Sequence, residues 1–282
     1  MTDLIKEINE IKAGMPAREP DDVFPLRDKL YAIADRVSEN PALLTDAVLD
    51  GLAAIAGDSP FRDIHDPGAE LHHRQNPAQD VCLVAVRLFE TLAAQVPDKA
   101  GQVVARLESL ARDNLDYDIR QQAVMDLWVL SLQSEPLRSF GVAALERQGA
   151  ENSCSYIRTI CRDNLLQTAK EIPELASRAW TAQAEGTVDE DRDARVRALA
   201  LLTNRVKEKD CSYAEAENLM TLFRKAAAKA GSEEEAVKYW ADQGVGDIQE
   251  RRMTELVERG CSTLDDVQPF KPIKLKAPGN GG

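Results

Sequence analysis

Apolar residues recur along the chain at helical spacing, in blocks divided by prolines and by asparagine or aspartate, and almost no stretch alternates with the period of a half-buried strand. The blocks come in pairs. Pro25, Pro60, Pro97, Pro136 and Pro173 each lead into one amphipathic block, and Asn40, Asn76, Asn114, Asn152 and Asp191 open a second block fifteen to eighteen residues later. The second-block openings are 36, 38, 38 and 39 residues apart. A period near 38 with two helices per unit predicts an all-α chain built as a stacked helical repeat, a surface-forming architecture rather than a single pocket.

The second blocks share a grammar. Five residues after the opening polar residue stands a branched aliphatic (Val81, Ile119, Ile157, Val196), followed by arginine in three of four cases (Arg120, Arg158, Arg197; Cys82 is the exception). Four residues after the aliphatic comes a small side chain: Ala85, Ala123, Cys161 or Ala200. That i, i+4 spacing lays both on one stripe, where a small residue admits a close partner helix. Asn and Asp at the head supply the oxygen that caps free N–H groups, and Pro41 and Pro77 suit the first helical position. Residues 2–13 predict a separate N-terminal helix before a Pro-rich link ending at Pro20. Beyond residue 210 the pattern drifts into a helix from Ser212 to about Gly231, a capping box at Ser232, and a helix over Asp247–Arg259. Residues 211–267 read as a helical cap that closes the repeats of 21–210, and residues 268–282, rich in Pro, Gly and Lys, read as a disordered basic tail.

A proline early in the first helix, with Asn or Asp, an aliphatic–Arg pair and an alanine in the second, resembles the HEAT repeat over roughly residues 25–208. The resemblance implies an α-solenoid of about five helical pairs with an N-terminal helix and a C-terminal helical cap. It implies a structural ladder in which Arg120, Arg158 and Arg197 tie to Asn114, Asn152 and Asp191 or their neighbours. It also implies that the second helices line a concave face. On the helical wheel, Trp128 lies nearly opposite the Ile119/Ala123 stripe, and Arg87, Glu90, Gln121, Met125, Thr159, Asp163 and Arg205 share its side as candidate partner-binding residues. Trp amid Arg and Met is the composition of a binding hot spot. HEAT-like enzymes offer a competing class. Asp126 and Trp128 echo the groove of HEAT-like DNA glycosylases, and a bilin-lyase-like protein is a further alternative. The repeated His-Glu pairs of HEAT-like hydroxylases are absent, and His65-Asp66 has no earlier histidine to complete a phosphohydrolase set.

Charge narrows the partners. Forty-eight acids against 35 bases leave a net charge of −13, which disfavours general nucleic-acid binding and a glycosylase groove and is compatible with a basic protein partner. Five cysteines without CxxC spacing fit a reducing compartment, and the start of the chain has neither a basic region nor an apolar leader, so the expectation is a cytoplasmic chain with no membrane span. Cys82 and Cys161 fall at the small-residue stripe and read as core. His65, His72 and His73 cluster in one stretch, weak metal candidates whose spacing matches no zinc motif. Asp189–Asp193 reads as a helix cap rather than a calcium loop. The expected function is a non-enzymatic protein-binding scaffold or adaptor without cofactor, or, more narrowly, an acidic immunity protein neutralising a basic toxin or enzyme.

Overall fold

The fold is described from a computed structural model, for residues 2–15, 20–59, 77–208, 211, 213–231 and 234–258. Twelve helices and no strands lie among the described residues. In chain order they are α1 (Thr2–Gly14), α2 (Pro20–Glu39), α3 (Asp46–Gly57), α4 (Pro77–Gln95), α5 (Ala100–Asp113) and α6 (Tyr117–Leu132). There follow α7 (Leu137–Glu151), α8 (Ser155–Glu171), α9 (Ala176–Gly186), α10 (Arg192–Lys207), α11 (Tyr213–Lys229) and α12 (Glu235–Glu258). The chain forms two compact units, Met1–Ala179 and Trp180–Gly282, divided inside α9.

In the first unit every helix from α1 to α6 packs on the helix two further along. The odd-numbered helices α1, α3, α5 and α7 therefore form one layer, and the even-numbered α2, α4, α6 and α8 a second. Cross-layer contacts join α1 to α2, α3 to α4, and each later helix to its successor. This is an α-solenoid of stacked helical pairs. Its interior is aliphatic: Val81, Ala85, Phe89 and Leu92 of α4, Ile119, Ala123, Leu127 and Leu130 of α6, and Ile157, Cys161 and Leu165 of α8 are buried. The small residue at the fourth place after the aliphatic (Ala85, Ala123, Cys161) lies within this core, where helices on both sides approach it.

The period is as the sequence predicts, but its first unit is out of phase. Pro25 was expected to open a first-layer helix; it lies inside α2, which packs on α4 in the second layer. The proline equivalent to Pro97 and Pro173 is Pro41. Each follows a residue of similar backbone geometry (Asn40 at φ −140, ψ 88; Val96 at −131, 72; Ile172 at −132, 81) and opens a 3-10 turn into the next helix. A proline fits there because its φ is already set and its missing N–H has no partner to lose. Asn40 makes no side-chain cap, and α3 is capped instead by Thr45, whose Oγ1 accepts from Val48 N at 3.4 Å.

A second displacement affects α10. Val196 and Ala200 are half-exposed, while Ala194 and Ala198, at 4% and 1% exposure, occupy the inward stripe. The turn before α10 begins at Asp189, whose Oδ1 accepts from Asp191 N at 3.0 Å, just as Asn114 accepts from Asp116 N at 2.8 Å and Asn152 from Cys154 N at 2.9 Å. Asp189 and Asp191 are both competent capping residues, so spacing alone selects the wrong one.

In the second unit α12 packs on α10 and α11 around Phe223, with Leu199, Leu202, Met220 and Val237 buried beside it. The helix expected over Asp247–Arg259 is the later part of one continuous helix from Glu235 that runs through Gly244 and Gly246. Gly244 is there for packing: a Cβ would lie 2.6 Å from the Phe223 ring. Arg251 donates to the carbonyls of Val206 at 2.8 Å and of Cys211, closing the end of α10.

Among the described glycines of the first unit, the closest approach to neighbouring backbone is at Gly141 of α7, where a Cβ would meet Ser131 N at 2.5 Å and Leu127 O at 2.8 Å, both backbone atoms of α6. Gly141→Ala is expected to force α6 and α7 apart and cost about 1–3 kcal/mol in urea unfolding. Gly246→Ala, with nothing within 4 Å of the added carbon, is expected to gain about 0.5–1 kcal/mol.

Candidate binding surface

The helix ends carry the polar joints of the solenoid. At the C-terminus of α5 the carbonyl of Ala111 accepts from Arg120 Nε at 3.1 Å and from Asn152 Nδ2 at 3.0 Å. Arg120 Nη2 also donates to Asn152 Oδ1 at 2.7 Å, so one residue of α6 and one of the next interhelical turn close the same end. Asn152 is 2% exposed and holds Gln148 Oε1 and Cys154 N as well. Arg158, one repeat later, donates to the Asn152 carbonyl at 2.6 Å. The third arginine in this register is Arg195, which donates to the carbonyls of Asp189 and Glu190 and pairs with Glu234. Arg197 is exposed and two positions off that register, for the same reason that shifts the α10 stripe. Asn114 serves the turn rather than Arg120. The buried acid at that joint is Asp116, which takes Gln79 Nε2 at 3.2 Å and the Ser59 hydroxyl. Asp191 caps α10 by accepting from Ala194 N at 2.9 Å.

The first layer carries a separate set of ion pairs. Arg106 of α5 reaches Asp50 of α3 at 2.9 Å, Arg147 of α7 grips Glu108 of α5 with two bonds of 2.9 Å, and Arg178 holds Glu146 of α7 with bonds of 2.7 and 2.6 Å. No stripe analysis of the second helices would find these, because they link first-layer helices at the surface.

The second layer presents three rows at repeat-equivalent positions: Leu83, Gln121 and Thr159; Arg87, Met125 and Asp163; Glu90 and Trp128. Arg87 is exposed and the other seven half-buried, so the rows run unburied across α4, α6 and α8. The third row ends at Leu166, which is 8% exposed. Arg205 does not continue the surface. It is 8% exposed, bonded to Glu215 at 2.8 Å and Glu208 at 2.6 Å, and lies over the Trp180 ring. With the step of 37 residues into α10, the position matching Trp128 and Leu166 is Thr203, which is fully buried.

Between α4 and α6 the rows cover a buried acid. Asp126, 2% exposed, accepts from Gln122 Nε2 at 2.7 Å through Oδ1, while its Oδ2 has no hydrogen-bond partner among the described residues. Burial pushes its carboxyl up to about 7, with Glu90 adding to the rise and the Gln122 bond and Arg87 opposing it. Burial also raises Glu90. The indole N–H of Trp128 is buried, with no hydrogen-bond partner among the described residues. The thiols of Cys82, pushed by burial up to about 12, and Cys161, also raised, are core groups without nucleophilic character. His65, His72 and His73 lie outside the described residues, and among those described no group of His, Cys, Asp or Glu could hold a metal ion.

No protein-family model and no curated protein matches the chain. Among solved structures it is similar to an engineered protein, at 13% identity over 89% of this chain and 98% of that one, with a TM-score of 0.36. It is also similar to a designed armadillo repeat protein, at 14% identity over 87% of this chain and 98% of that one, with a TM-score of 0.24. The solenoid assignment rests on the packing of the helices themselves.

The joints can be ranked by substitution. Arg120→Ala, which strips a donor from the Ala111 carbonyl at the end of α5, and Arg195→Ala, which strips donors from the turn carbonyls of Asp189 and Glu190, are each expected to cost about 1–3 kcal/mol in urea unfolding. Arg197→Ala, at an exposed position off this register, is expected to cost less than either. Equal costs at positions 195 and 197 would overturn the register.

Proposed function

We propose that this protein is a non-enzymatic protein-binding scaffold that holds its partner against the second-layer face of the first unit. The observation that supports this reading is the set of rows across α4, α6 and α8. A half-buried Trp and Met sit beside an exposed Arg and a half-buried Glu, in a surface that no described segment covers. Amphipathic aromatic and long flexible side chains of this kind supply most of the energy at protein interfaces, because they bury large areas while retaining a polar edge. The net charge of −13 favours a partner with a basic face, through faster encounter and fewer like-charge contacts. None of the described helices is long and apolar enough to cross a membrane.

The test is affinity capture from native lysate with the wild-type chain and with Trp128→Ala/Arg87→Glu, after circular dichroism has established that the double variant is folded. A stoichiometric protein captured by the wild type and lost by the variant is the expected result, with a loss of about 2 kcal/mol or more in affinity. A partner retained at full affinity would remove this face from consideration. Capture of no protein would overturn the scaffold reading.

A further inference from the structure

The polar contact at Asp126 adds to the Gln79–Asp118 bond that also joins α4 to α6, in a layer whose interior is mainly aliphatic. Arg87 of α4, at the surface, donates from Nε to Gln122 Oε1 at 3.3 Å, and Gln122 Nε2 donates to Asp126 Oδ1 at 2.7 Å. A three-residue relay thus runs from solvent on one helix to a buried carboxyl on the next. The other carboxyl oxygen is buried without a partner among the described residues, so an ionised Asp126 would leave a charged oxygen neither hydrated nor paired. The neutral acid has no such cost.

Of the helices packed on α6, α4 supplies the charges that act on Asp126, namely Glu90 and Arg87. From α6 itself the neutral Gln122 faces it, and no charge on α5, α7 or α8 among the described residues acts on it. Glu90, itself raised by burial, disfavours a second negative charge nearby; Arg87 favours one.

We propose that the α4–α6 contact is a proton-operated joint, holding Asp126 as the neutral acid while closed and loosening as that proton leaves. The joint lies beneath the rows described above but does not depend on a partner. Its folded-state titration, near 7, lies above the ordinary aspartate value of 3.8 that the open chain would show. The stability supplied by the bound proton is therefore fully present below about 3.8 and is lost as pH rises through about 7.

Two measurements on the full chain test this. In carbon-13 NMR of the side-chain carboxyls, Asp126 is expected to titrate near 7, with Glu90→Gln moving the midpoint down and Arg87→Ala moving it up. A midpoint near 4, or one that neither substitution on α4 moves, would overturn the joint. In urea unfolding from pH 5 to 8, the folding constant of Asp126→Asn relative to wild type is expected to rise by up to about tenfold per pH unit until near pH 7 and then level off. A ratio that stays flat across the range would also overturn it. The NMR result stands whether or not the Asn variant folds.

Discussion

The carbonyls at a helix end lose their partners in the helix, and a repeat that turns back on itself every 38 residues or so meets that loss at each turn. In this protein the joint at Ala111 shows how the loss is met. Arg120, from the helix after the turn, and Asn152, from the turn of the following pair, both donate to the same carbonyl and bond to one another. One donor is local and the other comes from a neighbouring repeat, so satisfying a helix end also sets the distance between repeats. A group nearly free of solvent makes such bonds costly to break, since the orphaned carbonyl would have no water to replace them.

The two layers of the first unit use polar groups differently. The first layer is linked by Arg–Glu and Arg–Asp pairs at the surface, which orient neighbouring helices but contribute little to stability because water and salt screen them. The second layer buries some of its polar groups. Ser131 and Thr168 share a 2.8 Å hydroxyl contact between α6 and α8, and Asp126 sits under Arg87 and Gln122 between α4 and α6. Buried pairs of this kind favour one register of helix on helix, because any other would strand their polar atoms. The layer that carries the unburied rows is thus the one whose spacing is set by directional bonds.

Much of the fold was legible because the repeat writes the same chemistry at each turn. Prolines at the start of helices, Asn or Asp in the turn, and an aliphatic followed by a small residue mark two helices per unit, and these elements follow local rules. The misplacements have local causes as well. Pro25 looks like a helix opener, yet it is tolerated inside α2, while Pro41 takes the position shared by Pro97 and Pro173. Asp189 and Asp191 are both adequate caps, so the spacing admits two registers and only packing selects Ala194 and Ala198 over Val196 and Ala200. The helix expected to begin at Asp247 begins at Glu235 and runs through Gly244, where Phe223 needs the space of the missing side chain.

For the candidate surface, the wheel located Trp128, Met125 and Arg87 on an unburied side, because side-chain direction follows from helix periodicity once the buried stripe is known. It could not separate a surface arginine from one folded under acids of its own unit, and Arg205 belongs to the second kind. By itself the sequence determined the class of structure and the period: helix propensity, capping and apolar spacing act within a few residues of the chain. The tertiary structure alone decided which helices share a layer, which arginine enters a joint and which carboxyl is enclosed. Those outcomes depend on groups dozens of residues apart competing for the same buried space and the same unpaired backbone atoms.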